Sequence, residues 1–213
     1  MNELNTYLDH TLLKADATPK DILRVVEEAK HYHTASVCVN SSYAALVAEN
    51  LKASGVKTCV VVGFPLGAMS SAAKALEAAL AVRDGAEEID MVMNIGLAKA
   101  GEWNAVQADV SAVVTAARPA IVKVILETCL LTDDEKIKAC LAAKAAGAAF
   151  VKTSTGFSTG GATTADIALM RKTVGPEMGV KASGGVRSRE QAEAMIAAGA
   201  TRIGCSSTKK IMG

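Results

Sequence analysis

Short apolar runs alternate with longer, alanine-rich stretches of helical period along the chain. The junction from helix to strand repeats as a phrase: a helix end, a glycine, then an apolar strand. It reads "ASGVKTCVVVGF", "RDGAEEIDMVMN", "AAGAAFVKTS" and "AAGATRIGCS", with Gly55, Gly85, Gly147 and Gly199 at the junctions. A glycine just past a helix takes the left-handed conformation that other side chains resist. The second and third gaps between these glycines are about twice the first, so one further unit lies in each. "RPAIVKVILET" and "GPEMGVKASGG" fill them, with proline or glycine where the turn belongs. "SVCVN" (36–40) and "YLDHT" (7–11) supply two earlier strands. The pattern therefore predicts eight strands.

Helices fill the intervals. Thr18 caps one that has Pro19 at its first position and Ile22, Val25, Val26 and Ala29 on one face. Thr132 with Glu135, and Ser188 with Gln191, fit the reciprocal capping box. Repeated strand–helix units imply a parallel sheet covered by helices, and eight of them predict an α/β fold of the (β/α)8 TIM-barrel type. At 213 residues the chain is near the small end for such a barrel and is expected to form a single domain over 1–213. An open doubly wound sheet is the competing architecture.

Strand side chains alternate between faces, and the outer face of a barrel must be apolar to meet its helices. Val122, Val124 and Leu126 face outward, which turns Lys123 and Glu127 inward. Ile89, Met91 and Met93 face outward, leaving Asp90 and Asn94 inside. The same parity points Lys152 with Ser154, Lys181 with Ser183, and Cys38 with Asn40 to the interior. Asp90, Lys123, Lys152 and Lys181 thus converge from four consecutive strands, giving three lysines against one aspartate and an electropositive interior.

A lysine becomes a nucleophile in its neutral form, which burial and a neighbouring cation both favour. With Lys181 expected on one side of Lys152 and Lys123 on the other, the pattern favours a Schiff base with a carbonyl substrate. Asp90 is then placed to move protons or balance the iminium charge. Anion binding by all three lysines, or a salt-bridge cluster, are the simpler alternatives.

Two late segments have the character of an anion seat. "SGGVRS" (183–188) brings Gly184 and Gly185 ahead of a helix opened by Ser188. "IGCSSTKK" (203–210) brings Gly204, Ser206 and Ser207 to another helix start. Barrels often hold phosphate with the loops after strands seven and eight. Arg187 reads equally as an assistant there or as a solvent-facing side chain.

Composition narrows the partners. A net charge of +1 and 3 % aromatic residues give neither a basic face nor a stacking surface, so nucleic acid is not expected. No apolar run is long enough to cross a membrane, and "MNELNTYLDH" has no secretion-signal pattern. The five cysteines, Cys38, Cys59, Cys129, Cys140 and Cys205, form no CxxC pair and are expected as free thiols in a reducing cytoplasm. His31 and His33 group with no cysteine at a ligand spacing, and "HYH" reads as a polar helix end. No metal or other cofactor is expected.

The segments "LDHTLLKADAT", "ASVCVN", "VVGFPLG", "EEIDMVMNIG", "VKVILET", "FVKTSTGF", "KASGGVR" and "RIGCSS" run nearly end to end. In them the chain resembles the deoxyribose-phosphate aldolases, class I aldolases with a (β/α)8 fold. The resemblance implies reversible cleavage of 2-deoxy-D-ribose 5-phosphate to acetaldehyde and D-glyceraldehyde 3-phosphate, without a metal, in deoxyribonucleoside catabolism. It makes Lys152 the Schiff-base lysine, Lys181 the second lysine that favours the neutral amine, and Asp90 the proton-relay aspartate. Gly156, Gly184, Gly185, Gly204, Ser206 and Ser207 fall at phosphate-contact positions, and Asp9, Thr11 and Cys38 at pocket positions. For Cys38 a small inward core residue is the simpler reading. Lys123, Thr153 and Ser183 complete the candidate substrate-binding set. The partners so implied are small phosphorylated sugars and aldehydes, with a homodimer as the expected assembly.

Two departures from the family pattern stand out. Many members carry a mobile tail ending in a tyrosine implicated in proton transfer, whereas this sequence ends "KKIMG" without an aromatic. Either the sequence is truncated there or this member lacks the tail, and Tyr7, Tyr32 and Tyr43 are not offered as replacements. Phe157 follows Gly156 where some relatives have lysine, which bears on phosphate affinity. A phosphosugar isomerase or epimerase, or a non-catalytic phosphometabolite-binding barrel, are the rival readings. The first is weakened by the absence of histidine at the ends of strands two to eight, and a metal-dependent aldolase would need a histidine cluster that is missing.

Overall fold

The computed structural model describes residues 3–213. Eight parallel strands close into a barrel in sequence order: β1 (Leu8–Leu12), β2 (Ser36–Asn40), β3 (Lys57–Val62), β4 (Glu88–Val92), β5 (Ile121–Ile125), β6 (Phe150–Lys152), β7 (Gly179–Ser183) and β8 (Arg202–Cys205). β8 pairs back onto β1, with Asp9 opposite Gly204, so the open doubly wound alternative does not apply. The expected strands are all present. β1 starts one residue later than predicted. β6 is short because the chain leaves the sheet at Thr153.

Nine helices form the outer layer among the described residues: α1 (Pro19–Tyr32), α2 (Ala44–Leu51), α3 (Ser71–Arg83), α4 (Ile95–Lys99), α5 (Trp103–Ala116), α6 (Asp133–Ala145), α7 (Thr164–Val174), α8 (Arg189–Ala197) and α9 (Thr208–Met212). Local chemistry sets their ends. Thr18 and Asp21 satisfy each other's backbone amides at the start of α1, and Thr132 and Glu135 do so for α6. At α8 only half of the expected box forms. Ser188 accepts from the Gln191 amide, but the Gln191 side chain reaches one residue further back, to the Arg187 amide at 2.7 Å. α1 buries Ile22, Val25, Val26 and Ala29 against the sheet, as its period predicts.

The main core lies between sheet and helices. Val37, Val39, Val60, Val62, Ile89, Met91, Val122, Val124, Val151 and Val180 enter it from the outward strand face. A second, small apolar group of Leu13, Cys38, Cys59 and Val61 sits on the inward face. Outside the barrel, the buried Lys74 ammonium of α3 donates to Asp109 of α5 at 2.7 Å and to the Val92 carbonyl at 3.0 Å, tying both helices to the end of β4.

The connection from β3 to α3 passes tightly over the chain that follows β4. Gly67 adopts a φ of 67°, and a Cβ built there would lie 2.0 Å from the Met93 carbonyl oxygen. Gly67→Ala is therefore expected to lower the unfolding free energy by more than about 2 kcal/mol, from left-handed strain and backbone overlap together. Urea unfolding followed by circular dichroism checks this; an unchanged midpoint would contradict it.

Candidate active site

The inward parity of four strands brings the charged side chains together. Lys152 and Lys181 are register partners on β6 and β7, and Asp90 and Lys123 on β4 and β5. Asp90 is the hub. Its Oδ2 accepts from Lys152 Nζ and from Lys181 Nζ, each at 2.7 Å. Its Oδ1 accepts from Lys123 Nζ at 2.9 Å and from the Cys59 thiol at 3.2 Å. Lys123 does not flank Lys152 as expected. Lys152 pairs in register with Ile125, and Lys123 pairs with Phe150 one layer deeper in the barrel.

That deeper layer corrects the expected charge balance. Lys123 also contacts Glu88 at 2.5 Å, and Arg202 grips Glu88 with two nitrogens at 3.0 and 3.2 Å. Asp9 accepts from Arg202 at 2.7 Å and from Lys181. Four cations (Lys123, Lys152, Lys181, Arg202) therefore face three carboxylates (Asp9, Glu88, Asp90), rather than three facing one. A buried ammonium without a carboxylate costs several kcal/mol, so the nearly matched count is what the fold can tolerate. Glu88 and Arg202 carried a signal in the sequence: each lies two residues before an inward position, Asp90 and Gly204.

The network fixes protonation states. Burial alone would raise the Asp90 carboxyl, but Lys123, Lys152 and Lys181 outweigh it and hold its pKa well below the ordinary carboxylate range. For Asp9, burial is likewise overcome, here by Lys181, Lys123 and Arg202. Burial works against the Lys181 ammonium, yet Asp9 and Asp90 keep its pKa above that of an ordinary lysine. Lys181 is thus a standing cation and Asp90 a standing anion, both against the Lys152 amine.

Of the charged hub, only Lys152 reaches the cavity. That cavity, of roughly 270 Å³, opens at the C-terminal end of the strands. Thr11, Gly156, Ser183, Gly184, Gly185, Gly204 and Ser206 line it, and the hub sits beneath its floor. Gly204 keeps room for the lysine next to it: a Cβ there would lie 3.1 Å from Lys181 Cε. The Ser183 hydroxyl is buried and bonds to no protein group among the described residues. Gly156, Gly184 and Gly185 all have φ of 84°, and their amides find no protein acceptor there. These donors can receive an anion.

Several expected pocket residues lie elsewhere. Thr153 turns away, its hydroxyl bonded to the Ser183 carbonyl at 3.0 Å and to the Ser183 amide at 3.1 Å, so it clamps β6 to β7. Cys38 is fully buried in the inward apolar group beside Cys59. Asp9 and Lys123 belong to the hub, and Ser207 lies outside the cavity lining. Conversely, Lys14, Thr155 and Arg187 line the cavity. Lys14 and Arg187 have no carboxylate within 4.0 Å among the described residues. Lys14 follows β1 in a loop, where no strand parity marks it. Cys38, Cys59 and Asp90 have the spacing of a metal-ligand trio, but three ammonium groups on the same carboxylate oppose a further cation.

The profile of the DeoC/LacD family aldolases matches residues 4–212. The chain is 60% identical over 210 residues to the deoxyribose-phosphate aldolase of Streptococcus sanguinis (strain SK36), covering 99% of this chain and 96% of that one. It is 59% identical over 204 residues to the deoxyribose-phosphate aldolase of Clostridium botulinum (strain ATCC 19397 / Type A), covering 96% of each. Among solved structures, the tetrameric deoxyribose phosphate aldolase from Aeropyrum pernix superposes with a TM-score of 0.92 at 37% identity. The match covers 98% of this chain and 89% of that one. The aldolase QR15 gives a TM-score of 0.94 at 38% identity, over 99% and 95%.

The depressed carboxylates predict how the barrel responds to acid. Their contribution to stability is complete above the ordinary carboxylate pKa and is lost as pH falls through the lower folded-state values. Between about pH 6 and about pH 2, wild type is therefore expected to lose more unfolding free energy than Asp9→Asn, which lacks one such group. Denaturant titrations at both pH values test this, and equal losses in the two proteins would contradict it.

Proposed function

The chain belongs to the DeoC/LacD aldolase family, and from that premise we propose that it cleaves 2-deoxyribose 5-phosphate reversibly to acetaldehyde and glyceraldehyde 3-phosphate through an imine on Lys152. The observation that carries this reading is the placement of Lys152. It is the one hub amine at the cavity floor, and it shares the Asp90 Oδ2 atom with the standing cation Lys181. Attack on a carbonyl requires this amine in its neutral form, and Asp90 is the adjacent group that can take up its proton.

In this reading the neutral Lys152 amine adds to the C1 aldehyde of the open-chain sugar, and loss of water gives the iminium. A base takes the proton from the C3 hydroxyl, Asp90 acting through a water. The C3–O electrons form the new carbonyl of glyceraldehyde 3-phosphate as the C2–C3 bond breaks. The electrons of that bond move into the C1–C2 bond and neutralise the iminium nitrogen as an enamine. Protonation at C2 and addition of water then release acetaldehyde and restore the amine. Lys181 acts on these steps through the Asp90 Oδ2 atom that it shares with Lys152.

The phosphate is assigned to the far end of the cavity. The Gly156, Gly184 and Gly185 amides, the Ser183 and Ser206 hydroxyls and the charges of Lys14 and Arg187, which pair with no carboxylate among the described residues, support that assignment. Lys14 and Arg187 supply the positive charge that a lysine at 157 would otherwise bring; Phe157 instead packs edge-on against Phe64 at 5.2 Å. A homodimer and a cytoplasmic location are part of the same proposal. Leu76 and Leu80, exposed one turn apart on α3, offer an apolar face for the first. A charged sugar phosphate does not cross membranes, which favours the second. No helix among the described residues is long and apolar enough to span a membrane.

Wild type incubated with 2-deoxyribose 5-phosphate is expected to release the two aldehydes in equal amounts, read by reductase-coupled NADH oxidation. Lys152→Ala is expected to lose at least about a thousandfold in kcat, since the covalent route is removed rather than weakened. Binding without turnover in wild type, or near-normal turnover in Lys152→Ala, would contradict the reading.

A further inference from the structure

Two residues past β5, Glu127 is held in the left-handed conformation, with φ 58° and ψ 63°. Among the described residues, only His33 and Ala53 are the other non-glycine positions with positive φ, and both follow helices. Glu127 is also buried, and no cation lies within salt-bridge distance of it among the described residues. Its carboxylate is spent on one residue. Oε1 accepts from the Thr155 amide at 3.1 Å, and Oε2 accepts from the Thr155 hydroxyl. The Thr155 hydroxyl oxygen in turn accepts from the Phe157 amide at 3.0 Å. The neighbours of Glu127 lace the same two segments together: the Leu126 amide donates to the Lys152 carbonyl and the Thr128 amide to the Thr153 carbonyl, each at 2.9 Å.

The span so held, residues 155–157, is the cavity wall on the β6 side, with the Gly156 turn at its centre. Glu127 itself does not line the cavity. A backbone that merely needed to turn at 127 would favour glycine. A glutamate strained into that conformation and buried without a counter-ion indicates that the side chain is the reason for the geometry. Only a carboxylate offers two acceptors to the two donors of Thr155; glutamine would offer one acceptor and one donor.

We propose that Glu127 is a positioning residue for phosphate recognition, fixing Thr155 so that the turn presents the Gly156 amide to the phosphate of the substrate. This rests on the phosphosugar reading above. It assigns Glu127 no contact with substrate and no part in the bond-breaking steps at Lys152.

The test compares Glu127→Gly, Glu127→Gln and Thr155→Val on two substrates, 2-deoxyribose 5-phosphate and 2-deoxyribose. Glycine suits the left-handed backbone, and valine is isosteric with threonine, so both variants are chosen to fold. Glu127→Gly and Thr155→Val are expected to raise KM for the phosphorylated sugar about tenfold with kcat within about threefold, and to leave kcat/KM for the unphosphorylated sugar within about twofold. Glu127→Gln should fall between them and wild type. Equal losses on both substrates would make Glu127 merely structural, and an unchanged KM in Glu127→Gly would make it idle; either result overturns the proposal. If wild type turns over neither sugar, the cleavage reading has failed, and calorimetry with inorganic phosphate decides this one separately. A roughly tenfold weaker affinity in Glu127→Gly is expected, and equal affinity overturns it.

Discussion

The carboxylate of Asp90 is the interaction on which the interior depends. Three ammonium groups approach its two oxygens within 2.9 Å. A charged lysine deep in a closed barrel needs such a partner, because an unpaired buried charge costs several kcal/mol of a domain's small net stability. The arrangement also surrounds the Lys152 amine with groups that hold fixed charges. Asp90 stays ionised and Lys181 stays protonated because each stabilises the other, and Lys152 is the member of the set that meets the cavity. The remaining carboxylates, Asp9 and Glu88, anchor the lower cations and keep them from drifting toward the floor.

The barrel separates the tasks of stability and chemistry by parity. Outward-facing valines, isoleucines and methionines hold the sheet to its helices, and inward-facing polar groups carry charge. At the C-terminal ends of the strands, chemistry passes from side chains to backbone: glycines at 156, 184, 185 and 204 clear space or turn amides toward the cavity. In the proposed reading the imine site and the anion seat occupy successive layers of one cavity. A phosphorylated aldehyde with its two ends apart fits that order, with its carbonyl down on Lys152 and its phosphate up among the loops.

Much of this was legible in the sequence because strand parity is a strict physical rule. The helix-ending glycines counted the strands, and the outward valines fixed which way Asp90, Lys123, Lys152 and Lys181 point. The same rule would have found Glu88 and Arg202 had it been carried one position pair further down each strand. Register between strands was not legible, so Lys123 was expected beside Lys152 although the stagger of the barrel sets it a layer lower. Loop residues obey no period: Lys14 and the hold of Glu127 on Thr155 depend on chain segments far apart in sequence that meet only after closure. Thr153 is consumed clamping β6 to β7 instead of facing the pocket, whereas Cys38 takes the inward core place that was the alternative to a pocket position, packing among Leu13, Cys59 and Val61.

The central claim is that the Lys152 amine forms the covalent intermediate. Borohydride reduction in the presence of 2-deoxyribose 5-phosphate, followed by peptide mass spectrometry, tests it most directly. A stable secondary amine is expected on Lys152, carrying the reduced acetaldehyde or sugar-phosphate fragment, and none on Lys123 or Lys181. An adduct confined to another lysine, or no adduct while substrate is being cleaved, would contradict it.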